Sequence, residues 1–535
     1  MYSAQMLKLI EKVEATRSER KITEQRRLDA EEKQNLLQAY HPDYGTSGFG
    51  TIQVGASKGE KAPQELTDLL HSNSKLLGVP IDLSNVQYDA DVLIIGGGGA
   101  GASAAVEARR AGADVMIVTK LRMGDANSIM AEGGIQAADK ENDSPQQHYL
   151  DTIGGGHYAN RPELVKRLVM EGPEAIAWLE NLGVMFDKKA DGTMISLPGG
   201  GISRNRLHAC ADFTGLEIMR VLRDEVRNLQ IPIVDYTAVL ELVMDDAGKA
   251  AGAVLMNMLT GEYSLVKAKT VIIATGGAGR LHYHGFPTTN HYGATADGLV
   301  MAYRIGAKLL YQEAIQYHPT GVAYPPQLFG ALVTEKVRSI GAMLVNIDGE
   351  AFIHPLETRD VVSAATIREC NDRKKGIPTP DGAGVWLDTP LIEQRHGAGK
   401  IEASIPGILR MFMNYDIDIR KKPVLTYPTF HYQNGGIEIE TDGSIKNIPN
   451  LFVAGEAIGG IHGRNRLLGN SMLDCIVFGR SAGKNAAKTY GDVSLGKLTL
   501  NHIDEYAKKL TDADIDTGKT SPLLLPDYVR EVNKA

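Results

Sequence analysis

One stretch constrains this chain more than any other. Asp91-Val-Leu-Ile-Ile95 is a short, β-branched apolar run of the kind that fills a buried parallel strand. It runs straight into Gly96-Gly-Gly-Gly-Ala-Gly101, after which Ala102 to Ala111 is alanine-rich and helical, and Asp114-Val-Met-Ile-Val118 is a second strand. Together these segments spell a β-α-β unit with G-x-G-x-x-G at Gly96, Gly98 and Gly101. Glycines at that spacing let backbone N–H groups approach a pyrophosphate at a helix N-terminus, where the helix dipole favours negative charge. The fold class expected is α/β, with a doubly wound, Rossmann-like parallel sheet holding a dinucleotide.

The kind of dinucleotide follows from what comes next. A simple nicotinamide site would place an acid at the end of the second strand to hold a ribose; this chain has Thr119-Lys120. Further glycine turns recur at Ala131-Glu-Gly-Gly-Ile135, Thr270-Val-Ile-Ile-Ala-Thr-Gly-Gly-Ala-Gly279 and Asn450-Leu-Phe-Val-Ala-Gly-Glu-Ala457. One long, extended cofactor touched by segments from 96 to 472 fits FAD better than NAD.

Composition narrows the function classes. The 65 acids against 57 bases give a net charge of −8, so no basic face for nucleic acid is expected. Cys210, Cys370 and Cys475 lie far apart with no C-x-x-C pair, which argues against an iron–sulfur cluster or structural zinc held by this chain, and His282-x-His284 lacks a third ligand. Scattered thiols fit a reducing compartment. The start, Met1 to Lys21, has no uninterrupted apolar core for an export signal, and the apolar stretch from Val92 to Val106 is broken by glycines. A cytoplasmic protein is expected, peripheral to a membrane only through partner subunits.

Between residues 88 and 485 the chain resembles the flavoprotein subunits of succinate dehydrogenase and fumarate reductase, with soluble fumarate reductases and L-aspartate oxidases. The resemblance is carried by Ala131-Glu-Gly-Gly-Ile135, Leu207-His-Ala-Cys-Ala-Asp212, Thr295-Ala-Asp-Gly298, Gln316-Tyr-His-Pro-Thr-Gly321 and Val333-Thr-Glu-Lys-Val-Arg338. It continues through Thr358-Arg-Asp-Val-Val362, His431-Tyr-Gln-Asn-Gly-Gly436, His462-Gly-Arg-Asn-Arg-Leu467 and Gly469-Asn-Ser-Met-Leu-Asp474 with Val477-Phe-Gly-Arg480. It implies a C4 dicarboxylate substrate bound by His318, Thr334, His431 and Arg466, imidazole and hydroxyl donors plus a guanidinium able to grip a carboxylate bidentately. It also implies proton transfer by Arg359, with Glu335 and Arg338 as a relay. The implied cofactor contacts are Gly96, Gly98, Gly101, Thr119, Lys120, Ser128, Gly133, Gly134, Asp297, Glu456, Ser471 and Met472. No metal is implied.

Two departures from the family bear on function. Membrane-complex relatives carry a histidine covalently bound to the flavin a few residues before the A-x-G-G turn, and Asn127 stands there in Ala126-Asn-Ser128. The FAD is therefore expected to be non-covalent. After Arg480 the chain also lacks the long helical domain of those relatives, which puts a conventional dock to an iron–sulfur partner in doubt. The expected layout is an N-terminal helical and irregular extension at 1–88, FAD-binding segments at 89–305 and 426–490, an α+β capping domain at 306–425, and a tail at 491–535. The expected reaction interconverts fumarate and succinate, in the direction of fumarate reduction, as the flavoprotein subunit of a larger electron-transfer complex with an iron–sulfur or other redox partner.

The alternatives are an L-aspartate oxidase-like activity or a non-catalytic role in electron transfer. Met6, Leu9, Ile10 and Val13 repeat at helical spacing. The extension reads as a helix packed on its own domain, as a docking segment for a redox donor with those four residues as the contact, or as disordered chain.

Overall fold

The computed structural model describes residues 2–526, so the end of the tail expected at 491–535 lies outside the described residues. Its largest sheet has nine strands. At the centre Tyr88–Ile95 lies parallel between Val115–Val118 and Tyr263–Ile273, with Leu93 in register with Met116 on one side and Val271 on the other. Ile448–Val453 and Ile233–Val234 extend the parallel stretch at either side. Val92 to Ile95 are buried, because helices cover both faces and leave no side for water. The sheet is mixed rather than parallel throughout. Thr237–Asp245 and Ala250–Asn257 form a hairpin that joins Tyr263–Ile273 antiparallel, since the short links at 246–249 and 258–262 cannot make a crossover.

A second, antiparallel sheet runs in the order Ile315–Tyr324, Val424–Gln433, Gly382–Leu387, Leu344–Val345. It has its own apolar core, closed on one side by the helix Arg359–Ile367 and by the N-terminal helices. The two sheets thus define a nucleotide-side core and a substrate-side core. No helix among the described residues is long and apolar enough to cross a membrane.

The N-terminal helix Ala4–Ile22 starts at Ser3, whose hydroxyl accepts the Met6 amide, and Asp29 and Glu32 form a capping box at the next helix, Ala30–Tyr40. Met6, Ile10 and Val13 are buried in the same apolar cluster as Trp386 and Val345, Leu9 packs half-buried against that cluster, and Tyr2 meets the Trp386 ring edge-on. This corrects the docking expectation: the apolar face is already used inside the chain. Each of the three buried side chains gains roughly 1.5–3 kcal/mol from burial, so turning them outward toward a partner is disfavoured. Arg17 and Arg20 lock the helix by ion pairs of 2.9 and 2.6 Å to the fully buried Asp388. Within the extension expected at 1–88, Phe49–Thr51 pairs antiparallel with Lys61–Pro63. The C-terminal segment returns to the same region, where Thr520–Ser521 pairs parallel with Asn73–Ser74.

Candidate active site

A cavity of about 640 Å³ runs between the two cores, from Thr119 and Lys120 at one end to His318, Arg359 and Arg466 at the other. Gly96 to Gly99 line its nucleotide end, at the start of the helix Gly99–Arg110. Gly96 has φ +118°, and a Cβ there would meet the Ala274 carbonyl at 2.2 Å. Gly101 does not line the cavity; its Cβ would lie 2.0 Å from the Gly96 carbonyl oxygen, so its absence lets the helix sit close under the strand. Backbone amides, a helix N-terminus and an elongated space therefore fit FAD, with Gly96, Gly98, Thr119, Lys120, Ser128, Gly133, Gly134, Asp297, Glu456, Ser471 and Met472 all on the cavity wall.

Side chains fix this end from behind. Lys120 Nζ donates to Asp297 (2.5 Å), Thr295 (2.6 Å) and the Leu524 carbonyl (2.6 Å). Asn127 donates to Asn290 (2.9 Å) and reaches Glu456 at 3.3 Å, while its amide oxygen accepts from the His291 N–H at 2.6 Å. Burial raises Glu456 above the ordinary carboxylate range despite hydrogen bonds from the Gln433 amide and Asn127. Glu132 also reaches the wall; burial, reinforced by Asp212, pushes it well above that range, and its Oε2 has no hydrogen-bond partner in the protein.

The other end is built from side chains on distant segments. His318 on the strand Ile315–Tyr324 and His431 on Val424–Gln433 face each other with ring centroids 5.0 Å apart. Burial, then the positive charge of Arg359, pushes both imidazoles well below the ordinary histidine value, so they are neutral. Thr289 holds His431 Nδ1 at 2.8 Å. His318 leaves Nε2 without a protein partner on a cavity-lining ring. Thr334 lies on the same wall.

Arg359, the first residue of its helix, donates through Nε to Glu335 Oε2 at 2.8 Å. Arg338 lies 3.3 Å from the same oxygen, and the Gly200 amide donates to Glu335 Oε1 at 2.6 Å. Burial favours a protonated Glu335, but Arg359 and Arg338 outweigh it and hold the carboxyl below its ordinary value. Burial lowers Arg338 to about 10 and, with Arg359 adding repulsion, Arg466 to about 9. Arg466 donates to Ser471 at 2.9 Å and lies over the Tyr432 ring, 4.6 Å from its centroid.

All seven expected catalytic and substrate residues gather here. His318, Thr334, Arg359, His431 and Arg466 line the cavity, with Glu335 and Arg338 packed behind Arg359. The structure adds one residue that the sequence motifs do not single out. The Gln316 amide oxygen accepts from Arg359 at 2.9 Å and from Arg466 at 2.8 Å, joining the two guanidiniums. A signal for it exists in the sequence: two residues before His318 on a strand, it points to the same face. Among the described residues no group of three or more His, Cys, Asp or Glu side chains gathers as a metal site.

Three comparisons bear on this arrangement. The FAD binding domain family matches residues 91–472. The chain is 39% identical over 456 residues to one subunit of the fumarate reductase (CoM/CoB) of Methanothermobacter marburgensis, covering 83% of this chain and 80% of that protein. It is 36% identical over 403 residues to the L-aspartate oxidase of Streptomyces coelicolor, covering 73% and 67%. Among solved structures, a variant of the E. coli quinol fumarate reductase FrdA chain superposes with a TM-score of 0.71 at 33% identity, covering 79% of this chain and 74% of that one.

Proposed function

The chain belongs to the FAD binding domain family, as a flavoprotein oxidoreductase of the fumarate reductase and succinate dehydrogenase type, and from that premise we propose that it reduces fumarate to succinate. One observation carries the substrate class. Three buried guanidiniums, Arg338, Arg359 and Arg466, cluster around one carboxylate, Glu335, while the neighbouring imidazoles are neutral. Such a cluster carries two uncompensated positive charges, and a small dicarboxylate balances it at the point where donors converge.

When bound, FAD supplies the hydride. In this reading the protein's own residues do the rest. Arg466, His318, Thr334 and His431 hold the two carboxylates, and the fixed guanidinium pair limits the substrate to one orientation. Arg359 gives a proton to the carbon adjacent to the one receiving hydride, and Glu335 returns a proton to it, with Arg338 supplying Glu335. A hydride and a proton added across the double bond balance fumarate to succinate. The Glu335 contact at 2.8 Å is what makes an arginine workable as an acid, because its proton is replaced without leaving the buried cluster.

We assign the chain to the flavoprotein component of a redox complex, receiving electrons from a partner protein, an assignment supported by the named role of its relatives as subunits. The cofactor is proposed to be held without a covalent bond, and the protein to work in the cytoplasm. Purified holoprotein should oxidise reduced viologen dye on addition of fumarate and show no oxidation of L-aspartate by oxygen. The reverse pattern of activities would establish the aspartate oxidase reading, and absence of fumarate binding at full flavin occupancy would leave only an electron-transfer role.

A further inference from the structure

Asp360 and His157 take no part in the chemistry proposed above, yet they touch both halves of the site. Asp360 follows Arg359 in the first turn of the helix Arg359–Ile367, whose Val361, Val362, Ala364 and Ala365 are anchored in the substrate-side core. His157 lies on a loop that is stitched to the segment carrying Arg466. The Gly156 carbonyl accepts the Arg464 amide at 3.0 Å, the Gly155 carbonyl accepts from Asn465 at 3.0 Å, and the Arg161 amide donates to the Gly460 carbonyl at 2.7 Å. That segment leads into the helix Asn470–Thr489 in the nucleotide-side core. Across this boundary His157 Nε2 and Asp360 Oδ2 meet at 2.5 Å, with the aspartate side chain 8% and the histidine 28% exposed.

The loop that makes that contact leaves the helix Pro145–Gly155 through left-handed backbone, the Tyr158 amide donating to the Ile153 carbonyl at 3.0 Å. His157 and Tyr158 have φ of +56° and +59°, consecutive left-handed conformations that non-glycine residues rarely adopt. A short, largely buried ion pair beside the catalytic arginine points to a positioning role rather than a surface contact.

We infer that His157 and Asp360 form an ionic pin that holds the Arg359 helix against the Arg466 loop and thereby sets the affinity for the dicarboxylate. The inference rests on the fumarate reading of the site. Burial opposes the His157 imidazolium, but the hydrogen bond and charge of Asp360 outweigh it and leave the group above the ordinary histidine value. Burial likewise opposes the Asp360 carboxylate, and His157 outweighs it, leaving that group below its ordinary value.

The other groups in range are Arg464 and Lys33, which face His157, and His41, which with Thr358 faces Asp360. Asp43 and Tyr44 of the N-terminal extension also feel Asp360, and Arg464 is paired with Glu313 at 2.9 Å. Burial lowers His41 to about 4, so it takes no charge in the window where His157 titrates, and burial raises Asp43 well above the ordinary carboxylate value. Arg466 titrates only near 9, so below about pH 8 the sign follows from His157. The pin is fully formed below the ordinary histidine value and is lost as pH rises through the raised one.

The test uses the holoenzyme with reduced viologen as donor, KM and kcat for fumarate being measured from about pH 6 to about pH 8, below the range where Arg466 titrates. Wild type should show KM rising about tenfold across that window, with kcat changing less than about twofold. His157→Gln should show the high KM at every pH, and His157→Lys, which keeps the cation, the low KM throughout. Hydrogen exchange of residues 359–367 without substrate gives an independent readout: faster in His157→Gln than in wild type at low pH, and equal at high pH. If His157→Gln matches wild type in both the KM profile and the exchange, the pin is refuted. If wild type turns over no fumarate, the functional reading fails while the exchange comparison still decides the pin.

Discussion

At its nucleotide end the cavity is walled by consecutive glycines, and specificity comes from backbone that can be approached closely. At its substrate end it is walled by long charged side chains from distant segments, held by one another. The first end is a local device: strand, glycine turn and helix follow in about thirty residues and place their own amides. The second exists only once two sheets are assembled, because Gln316, Glu335, Arg359 and Arg466 share hydrogen bonds that none could make alone. Each half is therefore fragile in its own way. The glycine end fails by steric intrusion, the arginine end by loss of a single partner.

The largest effect should come from shortening the proton donor. Arg359→Lys leaves the glycine end untouched, so flavin occupancy should match wild type. Its ammonium cannot both reach substrate and keep the Glu335 and Gln316 contacts, and fumarate turnover should fall about a thousandfold. Stopped-flow turnover together with the flavin-to-protein absorbance ratio checks this. Near-normal turnover would remove Arg359 from the chemistry.

The two halves are unequally legible in the sequence. The β-α-β unit announces itself through apolar run, glycine spacing and alanine-rich helix, and the structure reproduces all three. The substrate cluster has no local pattern: lone histidines and arginines are uninformative until their strings are matched to a family. Gln316 stays hidden because an amide carries no titratable chemistry, although it shares a strand face with His318. The extension is ambiguous for a related reason. The 3.6-residue spacing of Met6, Ile10 and Val13 shows that a helix has an apolar face, but says nothing of whether the covering surface is in the same chain. Here it is, since Met6, Ile10 and Val13 share one buried cluster with the substrate-side sheet. The hairpin at 237–257 is equally hard to read, because its strands have the same apolar character as parallel ones.

A smaller effect should follow from adding one carbon at the glycine end. In Gly101→Ala the new methyl would lie 2.0 Å from the Gly96 carbonyl oxygen, so helix and turn must part. Flavin affinity should weaken at least about tenfold, measured by quenching of flavin fluorescence on titrating the apoprotein. Turnover per bound flavin should remain within about twofold of wild type, because the hydrogen bonds and ion pairs of Arg338, Arg359 and Arg466 go to residues outside the helix Gly99–Arg110. A fall in turnover per bound flavin as large as that of Arg359→Lys would show that the halves are coupled and erase the contrast drawn between them.

The smallest effect concerns the boundary of the two halves, at Asn127. Its amide nitrogen is delocalised into the carbonyl, so it lacks the nucleophilic lone pair that an imidazole offers to a flavin methyl group. The side chain is also engaged at both ends, donating to Asn290 at 2.9 Å and accepting from the His291 amide at 2.6 Å. Acid precipitation of wild type should therefore release the flavin entirely, leaving a denaturing gel without fluorescence. Asn127→Ala removes two hydrogen bonds that order the 290–291 segment but no bond to the cofactor. Flavin affinity should then fall only about three- to fivefold, the scale of one net hydrogen bond. Fluorescence that stays with the washed wild-type pellet and disappears in Asn127→Ala would mean that this position tethers the flavin after all, and would move it from the wall of the cavity into its covalent chemistry.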